Sequence, residues 1–127
     1  MRKVLLIDDD PVVTGIYSIL FARAGYEVAI ATDGEAGLAA VYEHRPQAVL
    51  LDLSMPKMNG LQWLTKVRED PRFKKLPVVV FTAGTIAWQV KAAQNSDVTY
   101  VLSKDNSEPR KVVEAINGAI VTGTWRI

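Results

Sequence analysis

The stretch Lys3-Val4-Leu5-Leu6-Ile7-Asp8-Asp9-Asp10-Pro11 decides the fold. Its unbroken apolar run reads as a central strand buried on both faces, because a strand with one solvated face would alternate apolar and polar residues. Asp10-Pro11 then opens a helix, with Asp10 as N-cap and Pro11 at the first helical position, where no amide hydrogen is needed. A second apolar run, Ala48-Val49-Leu50-Leu51, also ends in an aspartate, Asp52. In a parallel α/β sheet ligands bind in the crevice beyond the carboxyl ends of the strands. Asp8, Asp9 and Asp52 converging there would repel one another unless a hard cation joined them, and an all-oxygen ligand set points to Mg²⁺.

Short apolar runs alternate with segments of helical period along the rest of the chain. Strands are expected at 3–7, 27–31, 47–52, 77–82 and 99–102. The first helix places Val12, Ile16 and Ile19 with Leu20 on its expected inward face and stops at Ala24-Gly25. The second follows Asp33-Gly34, carries Leu38, Val41 and Tyr42, and ends before Pro46. The third runs from about Gly60, with Leu61, Leu64 and Val67 inward, to the break at Asp70-Pro71. A fourth, roughly 85–95, leaves its buried face open between Ile86, Val90 and Ala93 on one side and Trp88 with Ala92 on the other. The fifth starts near Ser107 or Glu108, with Val112, Ile116 and Ile120 in one stripe. The expected architecture is a (βα)₅ doubly wound α/β sheet with right-handed crossovers.

Length and composition narrow the class. The 127 residues carry a net charge of +1 and no cysteine, which fits one domain, 1–127, without disulfides or thiolate metal sites. Neither a signal peptide nor a spanning helix is expected, and cytoplasm is the expected compartment. With no long basic block, direct binding to nucleic acid is not expected either.

Chemistry-bearing residues collect at the strand ends: Asp8, Asp9, Asp52, Thr82 and Lys104. Singly, each has a plain explanation as turn, packing or solvated residue. Together they balance, since three carboxylates are offset by a divalent cation and one ammonium, and the site can then accept a phosphoryl group. Asp52 is the expected nucleophile. Thr82 supplies a hydroxyl and Lys104 a point charge to the phosphoryl oxygens. Asp9 and Asp52 are expected to bind the cation directly, and Asp8 through water.

The run Val4 to Pro11, the segment Leu50-Leu51-Asp52-Leu53-Ser54-Met55-Pro56-Lys57-Met58-Asn59-Gly60, the end Phe81-Thr82-Ala83 and the late Lys104 resemble the receiver domains of two-component response regulators. The resemblance covers about residues 2–121. It implies a flavodoxin-like five-stranded parallel sheet of strand order 2-1-3-4-5, and a chemotaxis-regulator-like domain without an attached output domain. It further implies that Asp52 is phosphorylated by a histidine kinase or a histidine phosphotransfer protein. Asp8, Asp9, Asp52 and the backbone carbonyl of Ser54 would hold Mg²⁺, while Thr82 and Lys104 would sense the phosphoryl group. A downstream protein would read the face made by the fourth helix, fifth strand and fifth helix, where Trp88 is the aromatic candidate. Such a domain is not an enzyme beyond its own phosphoryl acceptance and hydrolysis.

Two positions depart from the family pattern. Lys104 is followed by Asp105 where most members have a proline in a cis bond, which leaves open whether the bond here is cis or trans. The aromatic usually found three residues before the lysine is replaced by Val101, and strand alternation sends the neighbouring Tyr100 to the other sheet face unless a bulge intervenes. Two other classes stay in view. A receiver-like interaction module that does not use phosphate is motivated by those departures. A haloacid-dehalogenase-type phosphatase would take Asp8 as nucleophile and Asp10 as acid, but leaves Asp52 and its loop unexplained. His44, Lys74-Lys75 and Asp33-Gly34 read as surface, solvated charge and a helix start, and Trp63 as packing.

Overall fold

The computed structural model describes residues 2–83, 91–93, 95 and 97–125, the side chains of 122–125 excepted. Five parallel strands form one sheet: β1 (Lys3–Ile7), β2 (Glu27–Ala31), β3 (Ala48–Leu51), β4 (Val78–Thr82) and β5 (Tyr100–Ser103). Their order is β2-β1-β3-β4-β5. Helices α1 (Pro11–Arg23), α2 (Gly34–His44), α3 (Gly60–Glu69) and a C-terminal helix (Pro109–Trp125) fill the connections, with one 3-10 turn at Pro71–Phe73. Residues 91–93 and 95 are helical, where the fourth expected helix ends. The rest of that segment, including Gly84, Ile86, Trp88 and Val90, lies outside the described residues.

Alternation along the strands divides the core into two layers. Leu5, Ile7, Val49, Leu51, Val78 and Val80 pack with Val41 of α2, Trp63, Leu64 and Val67 of α3, and Ala93. Val4, Leu6, Leu50, Val79 and Phe81 pack with Tyr17 and Phe21 of α1 and with Val112, Ile116 and Ala119 of the C-terminal helix. The central strands β1, β3 and β4 are buried almost throughout, as their unbroken apolar sequences require. Trp63 is fully buried and packs as expected.

The inward face of α1 is not the expected one. Val12, Ile16 and Ile19 are 65%, 47% and 54% exposed, while Thr14, Tyr17 and Phe21 are buried. The aromatic rings decide the rotation. Phe21 meets Tyr26 edge-on at 5.6 Å, and Tyr17 meets Phe81 at 5.2 Å, so this face gains aromatic pairing that the aliphatic stripe could not make. Leu20 only borders this layer, Tyr42 of α2 is 42% exposed, and the C-terminal helix runs to Trp125.

Three helix N-termini are capped by side chains, Asp10 on α1 as expected. The Asp10 carboxylate accepts from the Val12 N–H at 2.9 Å, and Asp33 from the Ala36 N–H at 2.7 Å. Asn59 and Gln62 close a reciprocal capping box at the start of α3. The Arg68 guanidinium, at the end of α3, donates to the carbonyls of Phe73 (2.6 Å), Leu76 (2.9 Å) and Asp97 (3.0 Å). It thereby ties α3, the following loop and the approach to β5 together.

Candidate functional site

The chain runs outward from β1 to β2 and then back past β1 to β3, so the order of the sheet reverses between β1 and β3. A crevice opens at such a reversal, outside the carboxyl ends of the strands. Ile7 and Leu51 are register partners, and the Asp52 N–H donates to the Ile7 carbonyl at 2.9 Å. Asp8 and Asp52 are therefore neighbours by sheet register alone. Thr82 ends the adjacent β4, and the Lys104 N–H donates to the Thr82 carbonyl at 3.0 Å, which brings the lysine to the same edge.

The side chains close on one another. The Thr82 hydroxyl donates to Asp52 Oδ1 at 3.0 Å, and the Ser54 N–H donates to the same oxygen at 3.2 Å. Lys104 Nζ lies 2.8 Å from Asp8 Oδ2 and 3.4 Å from Asp52 Oδ2, so one ammonium bridges both carboxylates. Asp8 Oδ1 also accepts the Asp10 N–H at 2.9 Å. Asp8, Asp52 and Thr82 are buried, whereas Asp9 is exposed at the rim.

Burial pushes the Asp8 carboxyl above its usual pKa, despite the opposing hydrogen bond from Lys104. Burial works to lower the Lys104 pKa, but the hydrogen bond to Asp8 and the charges of Asp52 and Asp8 leave it raised. The pocket thus holds excess negative charge that its one ammonium answers only in part.

A carboxylate oxygen from each of Asp8, Asp9 and Asp52 lies within 4.8 Å of the others. Opposite ligands of Mg²⁺ stand about 4 Å apart, so this donor set fits a hard octahedral cation with small side-chain movement. The chemistry fits too, since all the donors are oxygens and one edge of the set faces solvent. Asp10 stands apart from the set, with its carboxylate spent on the helix cap.

The acceptor loop depends on a glycine. A Cβ at Gly60 would stand 2.4 Å from the Asp52 carbonyl oxygen and 2.7 Å from Leu53 Cα, so α3 begins this close to Asp52 only because residue 60 has no side chain. The Gly60 N–H donates to the Leu53 carbonyl at 3.1 Å and closes the loop.

A model of the response regulator receiver domain matches residues 4–117. This chain belongs to the response regulator receiver domains. Receiver domains act as signalling switches and not as classical enzymes. The DNA-binding dual master transcriptional regulator RpaA of Synechocystis is 39% identical over 83 residues, which are 65% of this chain and 34% of that protein. The chain spans about a third to a half of the length of the curated relatives it matches. Among solved structures, the Vibrio cholerae chemotaxis protein CheY4 superposes with a TM-score of 0.86 at 28% identity, covering 94% of this chain and 98% of that one. A CheY-like receiver domain from Methanospirillum hungatei reaches a TM-score of 0.91 at 21% identity over 100% of this chain and 99% of its own, and at that identity speaks for the fold.

The two departures from the receiver pattern resolve structurally. The Lys104–Asp105 bond is trans. Val79 pairs with Tyr100 and Val80 with Val101 without a bulge, so the two side chains take opposite faces. Val101 borders the layer that contains Ala93, while a Cβ on Gly118 of the C-terminal helix would lie 3.3 Å from the Tyr100 hydroxyl. His44 ends α2 at the surface beside Glu43, and Lys74 and Lys75 are exposed. Among the described residues no helix is long and apolar enough to cross a membrane.

Proposed function

We propose that this receiver domain is a phosphorylation-activated switch in which Asp52 accepts a phosphoryl group. The observation that carries the reading is the environment of the Asp52 carboxylate: a hydroxyl and an amide on one oxygen, an ammonium on the other, within a carboxylate cluster. An Asp52 oxygen attacks phosphorus as the bond to the donor breaks, and the leaving group keeps that electron pair. Thr82 turns its hydroxyl from Asp52 to a phosphoryl oxygen, and Lys104 pairs with another, so both abandon their present partners. Mg²⁺, when held by Asp8, Asp9, Asp52 and the Ser54 carbonyl, supplies positive charge against the phosphoryl oxygens.

The donor is a histidine kinase or a histidine phosphotransfer protein, and the compartment is the cytoplasm. The exposed stripe Val12, Ile16 and Ile19 begins beside the acidic pocket and supports docking of that donor along α1. The output is a change in the face carrying residues 91–93, β5 and the C-terminal helix, read by a protein partner that prefers the phosphorylated state. Nucleic acid is not contacted directly by this domain.

Intact mass after incubation with acetyl phosphate should show one phosphoryl adduct per chain with Mg²⁺ and none with a chelator. Steady release of phosphate without an accumulated adduct would favour the phosphatase reading, and no cation dependence would contradict the site. The adduct should also be long-lived. Ser54 is exposed and its hydroxyl is short, and Gly84 has no side chain, so neither orients a water opposite Asp52. Ser54→Asn or Gly84→Glu should speed decay once the donor is removed, and rapid decay in the parent would contradict this account of the lifetime.

A further inference from the structure

Asp33 caps α2 through one oxygen, accepting from the Ala36 N–H at 2.7 Å, while its other oxygen lies 3.6 Å from Lys57 Nζ in the loop that follows Asp52. A cap needs no such partner. Lys57 takes the left-handed conformation, with φ +62°, which side chains other than glycine adopt infrequently. Its neighbour presses still closer, for a Cβ on Gly34 would stand 2.0 Å from the Met58 carbonyl oxygen and 2.7 Å from the Met58 carbonyl carbon. These are backbone atoms, so a side chain at residue 34 would force helix and loop apart.

The loop between β3 and α3 is pinned at its start by the Ser54 N–H on Asp52 and at its end by Gly60 on Leu53. Its middle rests on the first turn of α2. We propose that Asp33 and Gly34 are positioning residues, a seat on α2 that clamps the acceptor loop and so sets where Asp52 and the Ser54 carbonyl stand for the cation. The clamp rests on the cation reading given above, and acts through Lys57 and Met58 without touching the ion. The Ala36 amide first, and Lys57 after it, hold the Asp33 carboxyl below its usual pKa.

The test is Mg²⁺ binding alone, by calorimetry without a phosphodonor, together with thermal melts and amide hydrogen exchange at Ser54. Asp33→Asn is the informative variant, because asparagine caps a helix as well as aspartate but carries no charge for Lys57. It should bind Mg²⁺ several-fold more weakly at an unchanged melting midpoint, with faster exchange at Ser54. Gly34→Ala should lose about tenfold or more in affinity, the usual scale for groups that support a metal ligand. Glu35→Ala, on the same helical turn, should bind as the parent does. Should Gly34→Ala fail to fold, Asp33→Asn decides. Parent-like affinity in Asp33→Asn, or a loss matched by a falling midpoint, overturns the clamp while leaving the cation reading intact. No Mg²⁺ binding by the parent overturns both.

Discussion

Asp52→Asn should take up no phosphoryl group under conditions that modify the parent fully, and should remain folded. The loss is expected to be complete because the carboxamide is not a nucleophile toward phosphorus, whereas Asp8 is engaged by Lys104 and the Asp10 amide, Asp9 is exposed at the rim and Asp10 caps α1. Retention of the fold follows from the hydrogen bonds. An asparagine oxygen can still accept from Thr82 and Ser54, which now lie 3.0 and 3.2 Å from Asp52 Oδ1, and Lys104 keeps Asp8 at 2.8 Å. Replacing the carboxylate also removes one of the like charges that crowd the pocket. Intact mass and a thermal melt on one sample check both halves, and an undiminished adduct would place the acceptor elsewhere.

The second large effect separates two neighbouring aspartates that are indistinguishable by composition. Asp9→Asn should weaken Mg²⁺ binding at least as much as the about 10–100-fold typical when a group supporting a ligand is lost. Asp10→Asn should leave binding nearly unchanged, because its carboxylate accepts from the Val12 N–H and lies outside the acidic set. Asp10→Ala should instead cost about 0.5–2 kcal/mol of stability, as loss of a helix cap does. Mg²⁺ titration and melts of the three variants decide it, and equal binding defects in Asp9→Asn and Asp10→Asn would contradict the division of roles.

The sheet was legible because β1, β3 and β4 are unbroken apolar runs, and buried parallel strands leave few other ways to read them. The site was legible for a related reason: the residues that follow such strands are fixed in space by the sheet register, so Asp8, Asp52 and Thr82 meet without further information. The rotation of α1 was not. With apolar residues on every side of that helix, period cannot select a face, and the choice falls to the shapes of Tyr17 and Phe21. Arg68 was missed because its acceptors are backbone carbonyls, which every residue type possesses and no sequence motif marks. Asp33-Gly34 was read correctly as a helix start, but its second contact, with Lys57 and Met58, joins segments more than twenty residues apart in a geometry only the folded chain displays.

The central claim is that Asp52, and no other carboxylate in the pocket, forms the acyl phosphate. Borohydride reduction of the phosphorylated parent, followed by peptide mapping, tests it most directly, because reduction of an aspartyl phosphate leaves homoserine at the modified position. Homoserine at residue 52 alone, in proportion to the Mg²⁺-dependent adduct, is the predicted result. Homoserine at residue 8, with residue 52 still aspartate, would contradict the account.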